Sequence, residues 1–294
     1  MTSSRSLLPG LAAALTGLLV GVALVATRSV AADIPPGLLA LLRYSIGGLC
    51  LLPLVFVRRR VHVPWRDLLR IGLLGVLQFA VVVGLLNISL KWIPASRAAL
   101  LFSLCPVLTL MLDSVLKRRR PPTLGGLGVV IALGGVVFVF GWQSIAGTAS
   151  WSWIGDGAAV LSALSAAVCS VSYRPYLRRY GSITVALYAM PAAVFFLCLI
   201  AMLEGVLVTP LQLDLDAWMA IVFIGLSSGI GYLLWLWALK HASPTRITVF
   251  LTLNPVSAAG FGALFLGERV GVPYGIGLIC VILGVWMAYR ERTL

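Results

Sequence analysis

The chain has 294 residues, 61% of them hydrophobic and 11% charged, and a net charge of +13. A soluble domain carries about a quarter charged residues, so this composition excludes a water-soluble globular protein. The cations sit in short clusters between apolar runs, which argues for membrane-protein loops and against a nucleic-acid surface.

Apolar runs recur from end to end. They predict ten membrane-spanning helices at about 8–28, 36–57, 68–90, 95–116, 123–142, 154–173, 183–204, 216–239, 245–266 and 272–289. Runs of about 20 residues match the hydrocarbon thickness of a bilayer, and backbone groups in lipid must bond internally, which selects helix. The first run ends in small residues, as a signal peptide does. Its apolar core is longer than a signal h-region and more spans follow, so it is read as the first span. Pro35 and Pro36 open the second span, and Pro121 and Pro122 precede the fifth; proline suits the first helical turn. No soluble domain is expected.

Placing the N-terminus in the cytoplasm puts 17 of the 22 cations on that side, including Arg58–Arg60, Lys117–Arg120 and Arg174, Arg178 and Arg179. The other side keeps Arg28, Arg43, Lys91, Arg97 and Arg269. The positive-inside rule therefore predicts a multi-pass inner-membrane protein with both termini cytoplasmic.

The fourth and ninth spans share their punctuation. "KWIPASRAALLFSLCPV" (Lys91–Val107) returns 149 residues later as "KHASPTRITVFLTLNPV" (Lys240–Val256). The same offset pairs Arg120 with Arg269, Gly126 with Gly275, Gly128 with Gly277 and Gly135 with Gly284. A weaker echo at 146 pairs Leu15 with Leu161, Thr16 with Ser162 and Arg28 with Arg174. The halves, 1–147 and 148–294, then hold five spans each. Five is odd, so the second copy is expected to enter the membrane inverted, a recurrent transporter design.

Cys50, Cys105, Cys169, Cys198 and Cys280 lie inside apolar runs without a CxxC pair, so neither a disulfide framework nor a metal site is expected. His62 and His241 fall in connections. An intramembrane enzyme needs a nucleophile with a base, or a metal cluster, and the sequence offers neither; no cofactor is expected. A channel needs an open, continuously lined pore, which two pseudo-symmetric kinks suit less well.

"LLALLRYSIGGLCLLPL", "ASRAALLFSLCPVLTLML", "GDGAAVLSALSAAVCSVSYRPYLRR" and "LNPVSAAGFGALFLGERVGVPYGIGLICVILGVW" follow one another through the chain. On these stretches the chain resembles EamA-type members of the drug/metabolite transporter superfamily. The resemblance implies two inverted five-helix units around a central cavity, and outward movement of small metabolites, often amino acids. It implies a wall of spans one, three, four, six, eight and nine, with five and ten peripheral. Two features depart from the pattern. The fourth span ends in "KRRR" where family halves often carry a glutamate, as at Glu268, and Thr16 stands where a tryptophan is common.

Pro106 and Pro255 fall mid-span at equivalent depth. A proline frees the carbonyl four residues back, making those of Phe102 and Leu251 candidate ligands, flanked by Ser103, Cys105, Thr252 and Asn254. The bland alternative is a packing kink. Gln78, Ser162, Ser165, Ser227, Ser228 and Tyr232 converge on the implied walls, with Trp235 and Trp237 adding aromatic area. A single serine can instead bond its own helix. Arg43 lies roughly 10 Å into its span; it either snorkels outward or meets a substrate carboxylate. Asp113 is spaced for an ion pair with Lys117, and Asp156 and Glu204 fall near outer span ends. With no midplane carboxylate, facilitated diffusion without proton coupling is expected. The partners expected are a small-molecule substrate and the bilayer.

Overall fold

The computed structural model describes residues 4–53, 62–116, 123–145, 152–204, 213–243, 247–268 and 271–290. Among these residues all regular structure is helical. The helices are α1 (Ser4–Val30), α2 (Pro36–Leu51), α3 (Trp65–Val76), α4 (Val82–Trp92), α5 (Ala95–Phe102), α6 (Cys105–Leu116) and α7 (Thr123–Ile145). There follow α8 (Ser152–Ser172), α9 (Arg174–Tyr180), α10 (Ser182–Leu203), α11 (Leu215–His241), α12 (Leu253–Leu266) and α13 (Val272–Arg290). A π turn, Leu77–Val81, joins α3 to α4, and a 3-10 turn, Val249–Thr252, leads into α12.

Among the described residues, seven helical stretches are long and apolar enough to cross a membrane: Leu8–Val30, Trp65–Trp92, Ala95–Leu116, Ser152–Tyr180, Ser182–Leu203, Leu215–His241 and Val249–Leu266. Pro36–Leu51, Gly126–Phe138 and Val272–Met287 are shorter apolar helices. The second predicted span is thus shorter than expected; residues 54–57 lie outside the described residues. Bulky apolar side chains stand on the outside, among them Leu203, Phe195 and Leu264 at 88%, 70% and 73% exposure. In water such a surface would aggregate, whereas in lipid it is the expected solvent-facing side.

The packing is two-fold in pattern. α1 packs on α11 as α4 packs on α8, and α2 packs on α11 as α3 packs on α10. α7 and α13 form the most extensive pair. A Cβ on Gly135 would fall 3.0 Å from the Gly277 carbonyl, and one on Gly284 would fall 2.4 Å from the Gly128 carbonyl. The glycines that recur at the 149-residue offset therefore meet each other reciprocally, as in a self-complementary interface. Small residues let helices approach closely where lipid supplies no hydrophobic drive between them.

At one end of the bundle, two helix starts are capped from the other half of the chain. α2 and α5 follow prolines and have no side-chain cap of their own. The Glu204 carboxylate, past the end of α10, accepts from the N–H groups of Gly37 and Leu38 at 2.8 and 2.9 Å. The Glu268 carboxylate, past the end of α12, accepts from the Ala95 and Ser96 N–H groups at 2.8 and 3.2 Å and from Ser96 Oγ at 2.8 Å. Arg97 and Asp156 pair at 2.6 Å at the same end. Helix starts leave unpaired donors that favour negative charge. Removing either carboxylate, as Glu204→Ala or Glu268→Ala, should cost about 1–2 kcal/mol, the usual worth of a cap. The measurement is the thermal unfolding midpoint of detergent-purified protein; two unchanged midpoints would show the caps to be idle.

Candidate transport cavity

A cavity lies in the core, its wall coming from α1, α2, the π turn, α4, α5, α8, α11 and the 3-10 turn. Its volume is about 100 Å³, against about 10–15 Å³ for one water by the same measure. That is room for a small solute.

The wall obeys the sequence repeat. Gln78 and Ser227, Phe79 and Ser228, Val82 and Gly231, Val83 and Tyr232, Leu86 and Trp235, and Phe102 and Leu251 all line it, each pair separated by 149 residues. Val20 with Ala166, and Leu24 with Ser170, add pairs at the 146-residue offset. Equivalent positions of the two halves thus face one space.

Among the described residues, Arg43 is the one charged side chain on the wall, and it is 8% exposed. Its Nε donates to Ser228 Oγ at 2.5 Å, and its guanidinium carbon lies 5.6 Å from the Tyr44 ring centre. The side chain thus turns into the bundle and does not snorkel outward. Phe79 packs between Tyr44, tilted, and Tyr232, edge-on, with ring centres 4.4 and 4.5 Å away, and Tyr232 donates to the Tyr173 hydroxyl at 3.1 Å. The Thr16, Ser170 and Ser227 hydroxyls donate to the carbonyls of Ala12, Ala166 and Ile224 at 2.8, 2.8 and 3.0 Å. Their protons are committed to backbone, so they offer the cavity lone pairs.

Of the residues singled out from the sequence, Arg43, Gln78, Phe102, Ser227, Ser228, Tyr232 and Trp235 line this cavity. Ser103, Cys105, Ser162, Ser165, Thr252, Asn254 and Trp237 do not. Ser103 Oγ donates to the Leu100 carbonyl at 2.5 Å and Thr252 Oγ1 to the Val249 carbonyl at 2.7 Å, the same bond in each half. Ser162 Oγ donates across to the Val82 carbonyl at 2.7 Å, and Ser165 Oγ to Leu161 at 2.9 Å. Cys105 is buried beside Thr109, whose hydroxyl donates to the Cys105 carbonyl. Asn254 is fully buried, and among the described residues its amide has no hydrogen-bond partner. Trp237 stacks on His241 instead, ring centres 4.4 Å apart.

Pro106 and Pro255 lie in the first turns of α6 and α12, not at a mid-helix kink. The helices break just upstream, at Ser103–Leu104 and at Val249–Thr252. The Leu251 carbonyl, expected to be free, accepts from the Leu253 N–H. Lys117, the expected partner of Asp113, lies outside the described residues.

Sequence reading missed Tyr44, Phe79, Ser170 and the aliphatic wall of Val82, Val83 and Leu86. Part of that signal was present. Carrying Ser228, Tyr232 and Trp235 back by 149 residues gives Phe79, Val83 and Leu86.

Comparison with known proteins fits this architecture. The model of the EamA-like transporter family matches twice, over residues 8–141 and 153–290. An uncharacterized transporter of Archaeoglobus fulgidus is 28% identical over 287 residues, covering 95% of this chain and 98% of the relative. A probable terminal-alkyne amino-acid exporter of Streptantibioticus cattleyicolor is 31% identical over 236 residues, covering 78% and 75%. The uncharacterized inner membrane transporter YedA of Escherichia coli K12 is 26% identical, covering 85% and 80%. A crystal structure shares the fold with TM-score 0.71 at 21% identity, over 99% of both chains. With its two matched repeats and helices long enough to span a bilayer, the chain belongs to the EamA-like transporter family.

Proposed function

We propose that the protein is a secondary transporter that exports small metabolites, amino acids foremost, by alternating access. The observation that carries this is the wall itself: two chain halves contribute equivalent positions to one central cavity, the arrangement in which one site is exposed alternately by two half-gates. The seven long stretches and three shorter apolar helices are read as ten crossings, in inverted units 1–147 and 148–294. Both termini are placed in the cytoplasm, on the positive-inside rule. The name of the Streptantibioticus relative supports an amino-acid substrate, and that of the E. coli relative an inner-membrane location.

Gln78, Ser227, Ser228, Tyr232 and Phe102 are the proposed substrate contacts on the wall, with Arg43 toward a carboxylate. Ser103, Cys105, Ser162, Ser165, Thr252 and Asn254 support the wall through the backbone they bond or pack against. Pro106 and Pro255 hold the two breaks. The lone pairs of Thr16, Ser170 and Ser227 suit an ammonium group, so the cavity accommodates a zwitterion.

Purified protein in liposomes should show saturable counterflow of labelled zwitterionic amino acids. An imposed pH gradient should drive no concentrative uptake, because among the described residues the wall carries no carboxylate relay. Absence of counterflow across an amino-acid panel would remove the proposed substrate; uptake driven by the pH gradient alone would overturn facilitated diffusion.

With native cysteines replaced, Arg59→Cys, Arg119→Cys and Arg178→Cys should react with an impermeant thiol reagent from the cytoplasm only, and Asp214→Cys from outside only. Labelling of Arg119→Cys and Asp214→Cys from one face would refute the inverted topology.

Pro106→Ala and Pro255→Ala each restore a backbone donor and should insert normally yet lose most counterflow. The two variants should favour opposite access states. Wild-type rates in both would make the breaks mere packing features.

A further inference from the structure

We propose that Arg43 is a carboxylate subsite, and that the cavity selects small molecules carrying a carboxylate on an apolar body. This rests on the transport reading above and adds the charge rule for what enters. Arg43 is nine-tenths buried and lines the cavity. Its Nε is held by Ser228 and its plane lies near the Tyr44 ring. Among the described residues no carboxylate pairs with it, and neither terminal guanidinium nitrogen donates a hydrogen bond. Every other described side chain lining the cavity is uncharged. The positive charge is therefore uncompensated inside the bundle, an expensive arrangement unless a ligand completes it.

The shape of the group narrows the ligand. Arginine's planar fork matches the two oxygens of a carboxylate, and bidentate pairs of this kind are the strong ones. With Nε anchored by Ser228, the two terminal nitrogens are the donors left for the cavity. Around them the wall is aromatic and aliphatic, from Tyr44, Phe79, Val83, Leu86 and Tyr232. These surfaces take an apolar body and offer no counter-ion to a lone ammonium. A cationic organic molecule meets Arg43 without compensation and is excluded by like charge.

Three probes that share one branched body separate the possibilities: leucine, isocaproate, which lacks the ammonium, and isoamylamine, which lacks the carboxylate. Binding is read as thermal stabilisation of the purified protein, and transport as flux into liposomes. Leucine and isocaproate should stabilise the wild type at concentrations about ten- to a hundredfold below any effect of isoamylamine, the worth of a charge-assisted hydrogen bond. Arg43→Gln should erase that difference, whereas Arg43→Lys should keep part of it. Equal binding of all three probes, or preference for isoamylamine, overturns the proposal. So does binding of none. If Arg43→Gln does not fold, the wild-type ranking and Arg43→Lys still decide. Carboxylate-selective binding without flux would sink the transport reading and leave this subsite standing. Leucine flux matched by isoamylamine flux would do the reverse.

Discussion

In hydrocarbon no water is present to bond a free N–H or C=O, so each backbone group needs a partner within the protein. Helix interiors meet this by themselves. Helix ends and helix breaks do not, and the tertiary structure is arranged around them. α2 and α5 begin at prolines without caps of their own, and the carboxylates that complete them arrive from beyond α10 and α12. These two glutamates each tie the second half of the chain to the first, and they do so through backbone rather than side-chain partners. The pairing needs no complementary residue at the helix start, only the start itself.

The same constraint explains where the polar side chains of the breaks went. Ser103 and Thr252 occupy equivalent positions and return a hydroxyl proton to the carbonyl three residues back. Each hydroxyl proton is thereby given a backbone acceptor beside the break, since an unpaired polar group in an apolar interior is costly. Ser162 does this between helices, reaching the Val82 carbonyl just past the π turn. Polar residues that look like ligands in the sequence are thus consumed by backbone repair. The cavity keeps groups that backbone does not claim, chiefly the Arg43 fork and the Gln78 amide.

The sequence made much of this legible, for identifiable reasons. Apolar runs and loop cations mark spans directly, since lipid imposes both. The repeat was legible because glycines, prolines and arginines recur in register against a leucine background that carries little information. Gly135 and Gly284 were visible as a pair, and the reciprocal approach of Gly135 to Gly277 and of Gly284 to Gly128 across α7 and α13 is what that pairing meant. The π turn at Leu77–Val81 was not legible, because one extra residue in a helical turn leaves no mark in an apolar run. Nor was the fate of any one hydroxyl. Whether Ser165 faces the cavity or its own helix depends on a rotamer set by packing. Tyr44 and Phe79 were hidden for a related reason: an aromatic side chain among apolar ones says little about which face it takes.

Duplication fixes geometry and leaves chemistry free. At paired positions α4 supplies Val82, Val83 and Leu86, while α11 supplies Gly231, Tyr232 and Trp235. At these positions the wall is therefore symmetric in outline, aliphatic from α4 and largely aromatic from α11. The ends of the bundle diverge further. Glu268 caps the start of α5, and its counterpart 149 residues earlier is Arg119. A carboxylate stabilises the positive end of a helix dipole and a guanidinium does the opposite. One sequence position thus carries opposite charge in the two halves, so the repeat constrains backbone positions and not the charge placed on them.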